Sequence, residues 1–175
     1  MVRKNSGTKI ILDIAIFSFI ALAVFFVYQG YGQNIRRLFF GDETVYTVYV
    51  DTVALTVTNA TTKKEQEQGL SGIQSLAELE GKLFTFDTEQ RHGIWMKDMK
   101  FPIDIMWFDN NLKLIYFEEN VDPNTYPHIF APDSDARFVL ETNAHFINSL
   151  RIQLGDRLTL PSSILPSDIK QNLQQ

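Results

Sequence analysis

The sequence predicts an α+β protein, namely a β-rich antiparallel sheet or small barrel with one or two short helices, preceded by one N-terminal transmembrane helix. Three observations lead to this fold class. Residues 10–28 form one apolar run, residues 44–160 alternate short β-branched and aromatic runs with turn residues, and only two short segments carry helix signals.

The apolar run at residues 10–28 is long enough to cross a membrane. Its nineteen residues include one charge, Asp13, and as a helix they would extend about 28 Å, close to the roughly 30 Å of a bilayer core. Residues 1–9 carry three Lys/Arg and the terminal amine, whereas Arg36 and Arg37 follow the run. Because Lys and Arg favour the cytoplasmic side, we expect a cytoplasmic N-terminus and an extracytoplasmic C-terminal domain.

A cleaved secretory signal is the alternative for this segment. Residues 21–23, Ala-Leu-Ala, offer the small-x-small pattern that precedes a cleavage site. The apolar sequence Val-Phe-Phe-Val-Tyr follows at once, where a cleavage region should become polar, and this favours an uncleaved anchor. Glycines and two arginines then mark residues 29–43 as a juxtamembrane linker.

The first part of the body is predicted to form strands followed by a short helix. Residues 44–58 are dense in β-branched and aromatic residues, which favours a long strand or a bent strand pair. Thr62, followed three residues later by Glu65, forms a capping box that begins a short helix. Gly69 is placed to end this helix.

The remainder of the body predicts several short strands. They are the apolar runs at residues 82–86, 94–99, 103–108, 112–117, 138–142 and 157–160. Residues 109–111, Asp-Asn-Asn, separate two of these runs and suit a tight hairpin turn. Residues 144–152 are a helix candidate with Asn143 as the N-cap, and the polar residues 161–175 are expected to form a flexible tail.

Six short motifs occur in order along the body. They are Gln68-Gly69-Leu70, then Gly81 to Phe86, Ile94 to Met99, Pro102 to Ile105, Ala136 to Glu141 with Asn143 and Ala144, and Gly155 to Arg157. In this order, over about residues 44–160, they resemble the domain of unknown function 192 family. The chain departs from the family pattern after Leu70, where Ser71 and Gly72 stand in place of a methionine and, soon after it, an arginine. The resemblance implies a compact β-rich fold, often exported or membrane-anchored, with no established activity.

Four charged residues lie in strands that are otherwise apolar, namely Lys97, Asp104, Arg137 and Glu141. Because unpaired charges in such strands are costly, we expect these four to form one polar cluster. Together with Trp95 as a stacking wall, they form the candidate ligand-binding site, with the cations as donors and the carboxylates as acceptors. A salt-bridge network that fixes strand register is the structural alternative. The two carboxylates would also suit a sugar-cleaving site.

Composition and spacing exclude several classes of function. The chain has no cysteine, which removes disulfides, thiolate catalysis and cysteine-ligated metals. From residue 41 onward eleven Lys/Arg face twenty Asp/Glu, a net charge of −9, which argues against nucleic acid as a partner. The three histidines lack ligand spacing, and no glycine-rich phosphate loop is present, so neither a metal nor a cofactor is expected.

These patterns predict a single-pass membrane protein with an extracytoplasmic β-rich domain. The domain is interpreted as a non-enzymatic binding or envelope-associated module, whose partners are the lipid bilayer and a small ligand or envelope component. The alternative is a hydrolase that acts on an envelope glycan-type polymer.

Overall fold

The computed structural model describes residues 44–172, which form two sheets and three short helices. In this part of the chain the strands are β1 (Val45–Val50), β2 (Val53–Ala60), β3 (Glu80–Gln90), β4 (Ile94–Trp95), β5 (Ile103–Phe108), β6 (Leu114–Val121), β7 (Ile129–Phe130), β8 (Ala136–Asn143) and β9 (Leu158–Thr159). The helices are α1 (Lys63–Gln68), α2 (Phe146–Leu150) and α3 (Ser167–Asn172), and a 3-10 turn spans Pro123–Thr125. The β-rich α+β fold predicted from the sequence is confirmed.

Seven strands form one sheet in the order β6-β5-β8-β3-β2-β1-β9, and β4 and β7 form a separate two-stranded ribbon. Neighbouring strands of the large sheet are antiparallel, except that β2 and β3 run parallel. A parallel pair requires a crossover connection, and α1 with residues 69–79 supplies it. The predicted antiparallel sheet therefore contains one parallel pair, which brings α1 next to β3.

The large sheet curls into a partly closed barrel around its core. At one corner its two edges meet, because the Leu114 N–H donates to the carbonyl of Asp156 at 2.8 Å and the Leu158 N–H donates to that of Leu112 at 2.8 Å. The most deeply buried core side chains, each at most 1% exposed, include Val48, Leu55, Leu83, Met106, Phe138 and Leu140. Burial of each one stabilises the fold by roughly 1.5 to 3 kcal/mol.

Alternation along β8 sorts its side chains between the two faces of the sheet. Phe138 and Leu140 belong to the core inside the curl. Because successive side chains of a strand point in opposite directions, Arg137 and Glu141 face the other side, as the sequence pattern predicts. This second face is the one that carries the candidate site.

Helix α1 forms as its capping box predicts. The Glu65 N–H donates to Thr62 Oγ1 at 3.3 Å, and the Thr62 N–H donates to Glu65 Oε2 at 2.9 Å. The backbone N–H groups of Thr62 and Thr61 hold the pKa of Glu65 below its ordinary value. The side-chain amide of Gln66 donates to the carbonyl of Thr85 at 3.0 Å, which fixes α1 against β3.

The cap predicted for the second helix is wrong, because Asn143 is the last residue of β8 and its side-chain amide donates to the carbonyl of Ala77 at 2.7 Å. Helix α2 follows His145, which has a φ of +69° and makes no side-chain cap. Its Ile147 N–H instead donates to Asp104 Oδ2 at 2.8 Å. A carboxylate from β5 thus caps the helix.

The turn between β5 and β6 lies where the sequence predicts it. Asp109 Oδ1 accepts from the N–H groups of Asn111 and Lys113, both at 2.9 Å. The positive φ of this turn falls on Leu112, at +61°, rather than on an asparagine. The Asp109 side chain therefore organises the turn by hydrogen bonding.

Residues 161–172 fold back onto the barrel in place of the predicted flexible tail. Ile169 of α3 is 3% exposed and belongs to the core, and the Asp168 carboxylate lies 3.3 Å from the Arg137 guanidinium. Ile164 and Leu165 also pack against the core, so three apolar residues of this largely polar segment hold it on the barrel.

The predicted cytoplasmic segment, transmembrane helix and linker at residues 1–43 lie outside the described residues, as do residues 173–175. Within residues 44–172, none of the helices has the length and hydrophobicity needed to cross a bilayer.

Candidate functional site

A cleft of about 470 Å³ lies on the second face of the sheet, between α1, β3 and the β4–β7 ribbon. Its volume falls within the range of small-molecule sites, roughly 300 to 1,000 Å³. We call it the Trp95 cleft, and it is lined by Lys63, Gln66, Glu67, Phe84, Phe86, Arg91, Gly93, Ile94, Trp95, Ile129 and Ala131.

Aromatic side chains of β3 form the floor of the Trp95 cleft. The ring of Phe86 stacks on that of His92, with centroids 3.5 Å apart and planes at 7°. Burial lowers the pKa of His92, which favours the neutral form of the ring. The Trp107 indole N–H donates to the carbonyl of His92 at 2.8 Å. The floor is thereby tied to buried Trp107.

The mouth of the cleft exposes aromatic and aliphatic surface. Trp95 is 39% exposed and Ile129 is 58% exposed. The Tyr126 ring meets Trp95 edge-on with centroids 6.1 Å apart, and Lys97 Nζ lies 5.6 Å from the Trp95 centroid, within cation–π range. This rim offers a flat stacking surface beside a positive charge.

The β4–β7 ribbon forms the outer wall of the cleft. Ile94 pairs with Phe130, and Trp95 pairs with Ile129. A Cβ at position 93 would lie 2.5 Å from the side chain of Ile129, closer than two carbon atoms can approach. A larger residue at position 93 would therefore require the exposed Ile129 side chain to move.

The strand predicted over residues 94–99 ends early, at Trp95. The predicted alternation holds at first, since Ile94 and Met96 are buried whereas Trp95 and Lys97 are exposed. Asp98 then adopts a φ of +56°, which turns the chain and leaves Met99 buried rather than beside Trp95. Lys97 still lies over Trp95, as expected from their shared face.

A second, smaller cavity of about 30 Å³ adjoins the Trp95 cleft. We call it the Gly69 pocket, and it shares Gln66, Glu67, Gly93, Ile94 and Trp95 with the cleft. Residues 68–71 at and after the end of α1, together with Met99 and Glu141, complete its lining. Its size admits about one small polar group, such as a water molecule or a carbonyl.

Glu141 is the buried ionisable group of the Gly69 pocket. Its side chain is on β8 and is 4% exposed. Burial raises the pKa of Glu141 to about 8, and the positive charge of Lys82, its direct partner across the β3–β8 pair, lowers it by less. Glu141 is therefore mainly protonated at pH 7, when its carboxyl can donate a hydrogen bond.

Asp104 is fully buried and supports the backbone rather than the cleft. Its Oδ1 accepts from the N–H groups of Asn120 at 2.8 Å and His145 at 3.2 Å, while Oδ2 accepts from Ile147. Both carboxylate oxygens are thus bound to main-chain donors on β6 and around α2.

Arg137 also lies away from both cavities. It is 8% exposed and its guanidinium contacts Asp168 of α3. The expected single cluster of Lys97, Asp104, Arg137 and Glu141 is therefore not formed. Trp95 and Glu141 meet at the Gly69 pocket, with Lys97 at the rim beside Trp95.

Sequence reasoning missed several residues of the site. The aromatic floor, Phe84 and Phe86, belongs to the predicted strand at residues 82–86, whose hydrophobicity alone indicates a core. Gln66 and Glu67 lie on the predicted helix, where polar residues resemble an ordinary exposed face. Lys82, which pairs with Glu141 across β3 and β8, was also missed. It shows the same pattern as Glu141, a charged residue within an apolar strand.

Among residues 44–172, no three His, Asp or Glu side chains gather closely enough to hold a metal ion. The site combines aromatic surface with polar side chains, namely Lys63, Gln66 and Glu67 of α1, Arg91 and the buried carboxyl of Glu141.

Comparisons with known proteins identify a family and a fold. The profile of DUF192, described as "Uncharacterized ACR", matches residues 46–160. A candidate transcription regulator from Sinorhizobium meliloti 1021 has a TM-score of 0.65 and 28% identity over 67% of this chain and 95% of its own. A protein of unknown function from Novosphingobium aromaticivorans DSM 12444 has a TM-score of 0.64 and 22% identity over 68% of this chain and 87% of its own. No curated protein is significantly similar to the chain.

Proposed function

The chain belongs to the DUF192 family, and because that family name defines no activity, we propose a function from the site itself. The domain is a non-enzymatic binding module that takes a small apolar or aromatic ligand into the Trp95 cleft. The observation that carries this proposal is a cleft of about 470 Å³ with an aromatic floor and an exposed indole at its mouth. Concave sites of this size with few polar groups are typical of small-molecule binding.

The geometry of the carboxylates supports binding over hydrolysis. A glycoside hydrolase requires two carboxyl groups that flank the scissile bond. Both oxygens of Asp104 accept hydrogen bonds from backbone amides, so this residue is not available as the partner of Glu141. The predicted pair therefore lacks one of its two members.

A nucleic-acid partner is also disfavoured. The regulatory role given to the Sinorhizobium protein would suggest one, but the body of this chain carries eleven Lys/Arg against twenty Asp/Glu. Such a charge repels a phosphate backbone.

The membrane location is part of the same proposal. Residues 10–28 anchor the protein as a single transmembrane helix, and the binding domain lies on the extracytoplasmic side. The apolar run and the Lys/Arg excess before it support this arrangement. The ligand is then a small molecule or an envelope component that reaches the cleft from outside the cytoplasm.

The two tryptophans allow a direct test of binding. We propose to label the full chain, in detergent micelles, with 5-fluorotryptophan and to record ¹⁹F spectra during titration with butylbenzene. Trp95 lines the cleft, whereas Trp107 is fully buried. The Trp95 resonance, assigned with Trp95→Phe, should shift saturably while that of Trp107 changes little.

A matched pair of variants controls for unspecific effects of the probe. Ala131 lines the cleft, so Ala131→Phe should occupy part of it and weaken the shift. Leu154 is 63% exposed and lines neither cavity, so Leu154→Phe should leave the shift unchanged. A Trp95 resonance that does not shift saturably with the probe, or that shifts equally in the Ala131→Phe variant, would refute binding in the cleft.

A further inference from the structure

Glu141 carries a buried oxygen atom that lacks a hydrogen bond. Its Oε2 has no partner among the residues that the structure describes. Leaving a buried polar atom unsatisfied is costly, and such an atom is usually explained by strain, by a bound water or ion, or by a functional role. The position of this atom therefore points to a partner that enters from outside the protein.

Glycine at the end of α1 leaves space beside the buried Glu141 carboxyl. Gly69 has a φ of +50°, and a Cβ at this position would lie 3.6 Å from Oε2, 3.7 Å from Oε1 and 3.1 Å from the ring of Phe84. Glycine keeps this space clear. The resulting Gly69 pocket connects the carboxyl to the larger cleft through their shared lining residues.

We propose that Glu141 donates a hydrogen bond to the polar head of the ligand whose apolar body lies in the Trp95 cleft. The ligand class is then an aromatic or aliphatic molecule with one neutral acceptor oxygen, such as a ketone, ester or amide carbonyl. This inference rests on the proposed function of the cleft. A carbonyl is matched in size to the Gly69 pocket of about 30 Å³, and a neutral carboxyl has one O–H group to offer it.

The charged groups around Glu141 are consistent with this donor role. From β3, Lys82 lies directly opposite and stabilises the ionised form, but burial outweighs it. From α1, Glu67 lines the same pocket and adds negative charge nearby. From β5, the residue paired with Glu141 is the apolar Ile105. The carboxyl therefore keeps its proton at pH 7 and loses it as the pH rises through about 8.

The test compares two probes that differ in one oxygen atom. The fluorotryptophan-labelled full chain is titrated with 4-phenylbutan-2-one, which carries a carbonyl, and with butylbenzene, which does not. The measured quantity is the ratio of their affinities, read from the Trp95 resonance. Loss of one neutral hydrogen bond should reduce the ketone-to-hydrocarbon ratio by roughly 3- to 10-fold in Glu141→Leu. Glu141→Gln retains an N–H donor and should keep most of the preference.

The pH dependence provides a second, independent measurement. In the wild-type protein the ratio should fall between pH 7 and pH 9, because the ionised carboxyl no longer donates, whereas in Glu141→Gln it should stay constant. If Glu141→Leu does not fold, the pH dependence of the ratio in wild type and in Glu141→Gln tests the donor role instead. A ratio that is the same in wild type and Glu141→Leu, or that is flat with pH in wild type, overturns the donor role but leaves the cleft as a binding site. Absence of any saturable Trp95 shift with both probes overturns the binding function itself.

Discussion

Replacing Glu141 with glutamine should change how the stability of the protein depends on pH. Burial raises the pKa of Glu141 to about 8 in the folded protein, from an ordinary value of 4.5. Between these two values the unfolded chain has lost the proton that the folded protein keeps. The unfolded state then binds fewer protons, so the free energy of unfolding falls as the pH rises through this interval and levels off above it.

The size of the effect follows from the width of that interval. One pH unit corresponds to about 1.4 kcal/mol for a single proton. Between pH 5 and pH 8, Glu141 should therefore lower the free energy of unfolding by about 3 kcal/mol. Glutamine does not ionise and lacks this contribution, so the variant should gain stability relative to wild type by that amount over the same range.

Urea unfolding at pH 5, 6, 7 and 8 checks the prediction, with the difference between variant and wild type as the measured quantity. Other titrating groups, including His92, contribute equally to both proteins and cancel in this difference. Glu119→Gln, at an exposed glutamate of β6 that lines neither cavity, controls for the removal of one carboxylate. If the Glu141→Gln difference is the same at pH 5 and pH 8, the fold does not hold this carboxyl neutral and the reasoning is refuted.

Four further predictions concern the scaffold and the location of the protein. Asp104→Ala should lower the free energy of unfolding by roughly 3 kcal/mol or more, because three backbone N–H groups lose their acceptor; urea unfolding near wild type would contradict this. Thr62→Ala should cost about 1 kcal/mol and speed amide exchange in α1, whereas unchanged exchange would show that the cap does not hold the helix. The full chain should sediment with membranes and a shortened chain beginning at Gly41 should not, and a mature protein beginning at Val24 would instead indicate a cleaved signal. Protease added to intact cells, with any outer barrier opened, should digest the C-terminal domain, and its complete protection would reverse the orientation.

Local sequence patterns predicted those parts of the fold that local contacts determine. The capping box at Thr62 and Glu65 forms as expected, and the β-branched run after residue 44 forms the β1–β2 pair. The cap of α2 could not be predicted in this way, because its acceptor is Asp104, more than 40 residues earlier in the chain. Asn143, which the local sequence pattern predicts as the N-cap, is instead the last residue of β8.

The candidate site was predictable only where a residue was chemically conspicuous. Trp95 and Glu141 stand out in apolar strands, and they do meet at the Gly69 pocket. The cleft itself depends on the parallel pairing of β2 with β3, which brings α1 next to Phe84 and Phe86. Residues 69–79 carry no periodic pattern that would indicate a parallel crossover, so the sequence gives no sign that a cleft forms there.

The pairing of β1 with β9 determines when the domain can complete its fold. β1 lies between β2, which follows it directly, and β9, which comes more than 100 residues later. As the chain is synthesised from its N-terminus, one side of β1 stays unpaired until residues 158–159 arrive, and unpaired edges are prone to join other chains. A chain cut before Gly155 would also leave Leu112 and Leu114 without their partners from the β9 region. Folding of this domain therefore finishes late, after most of the body has been made.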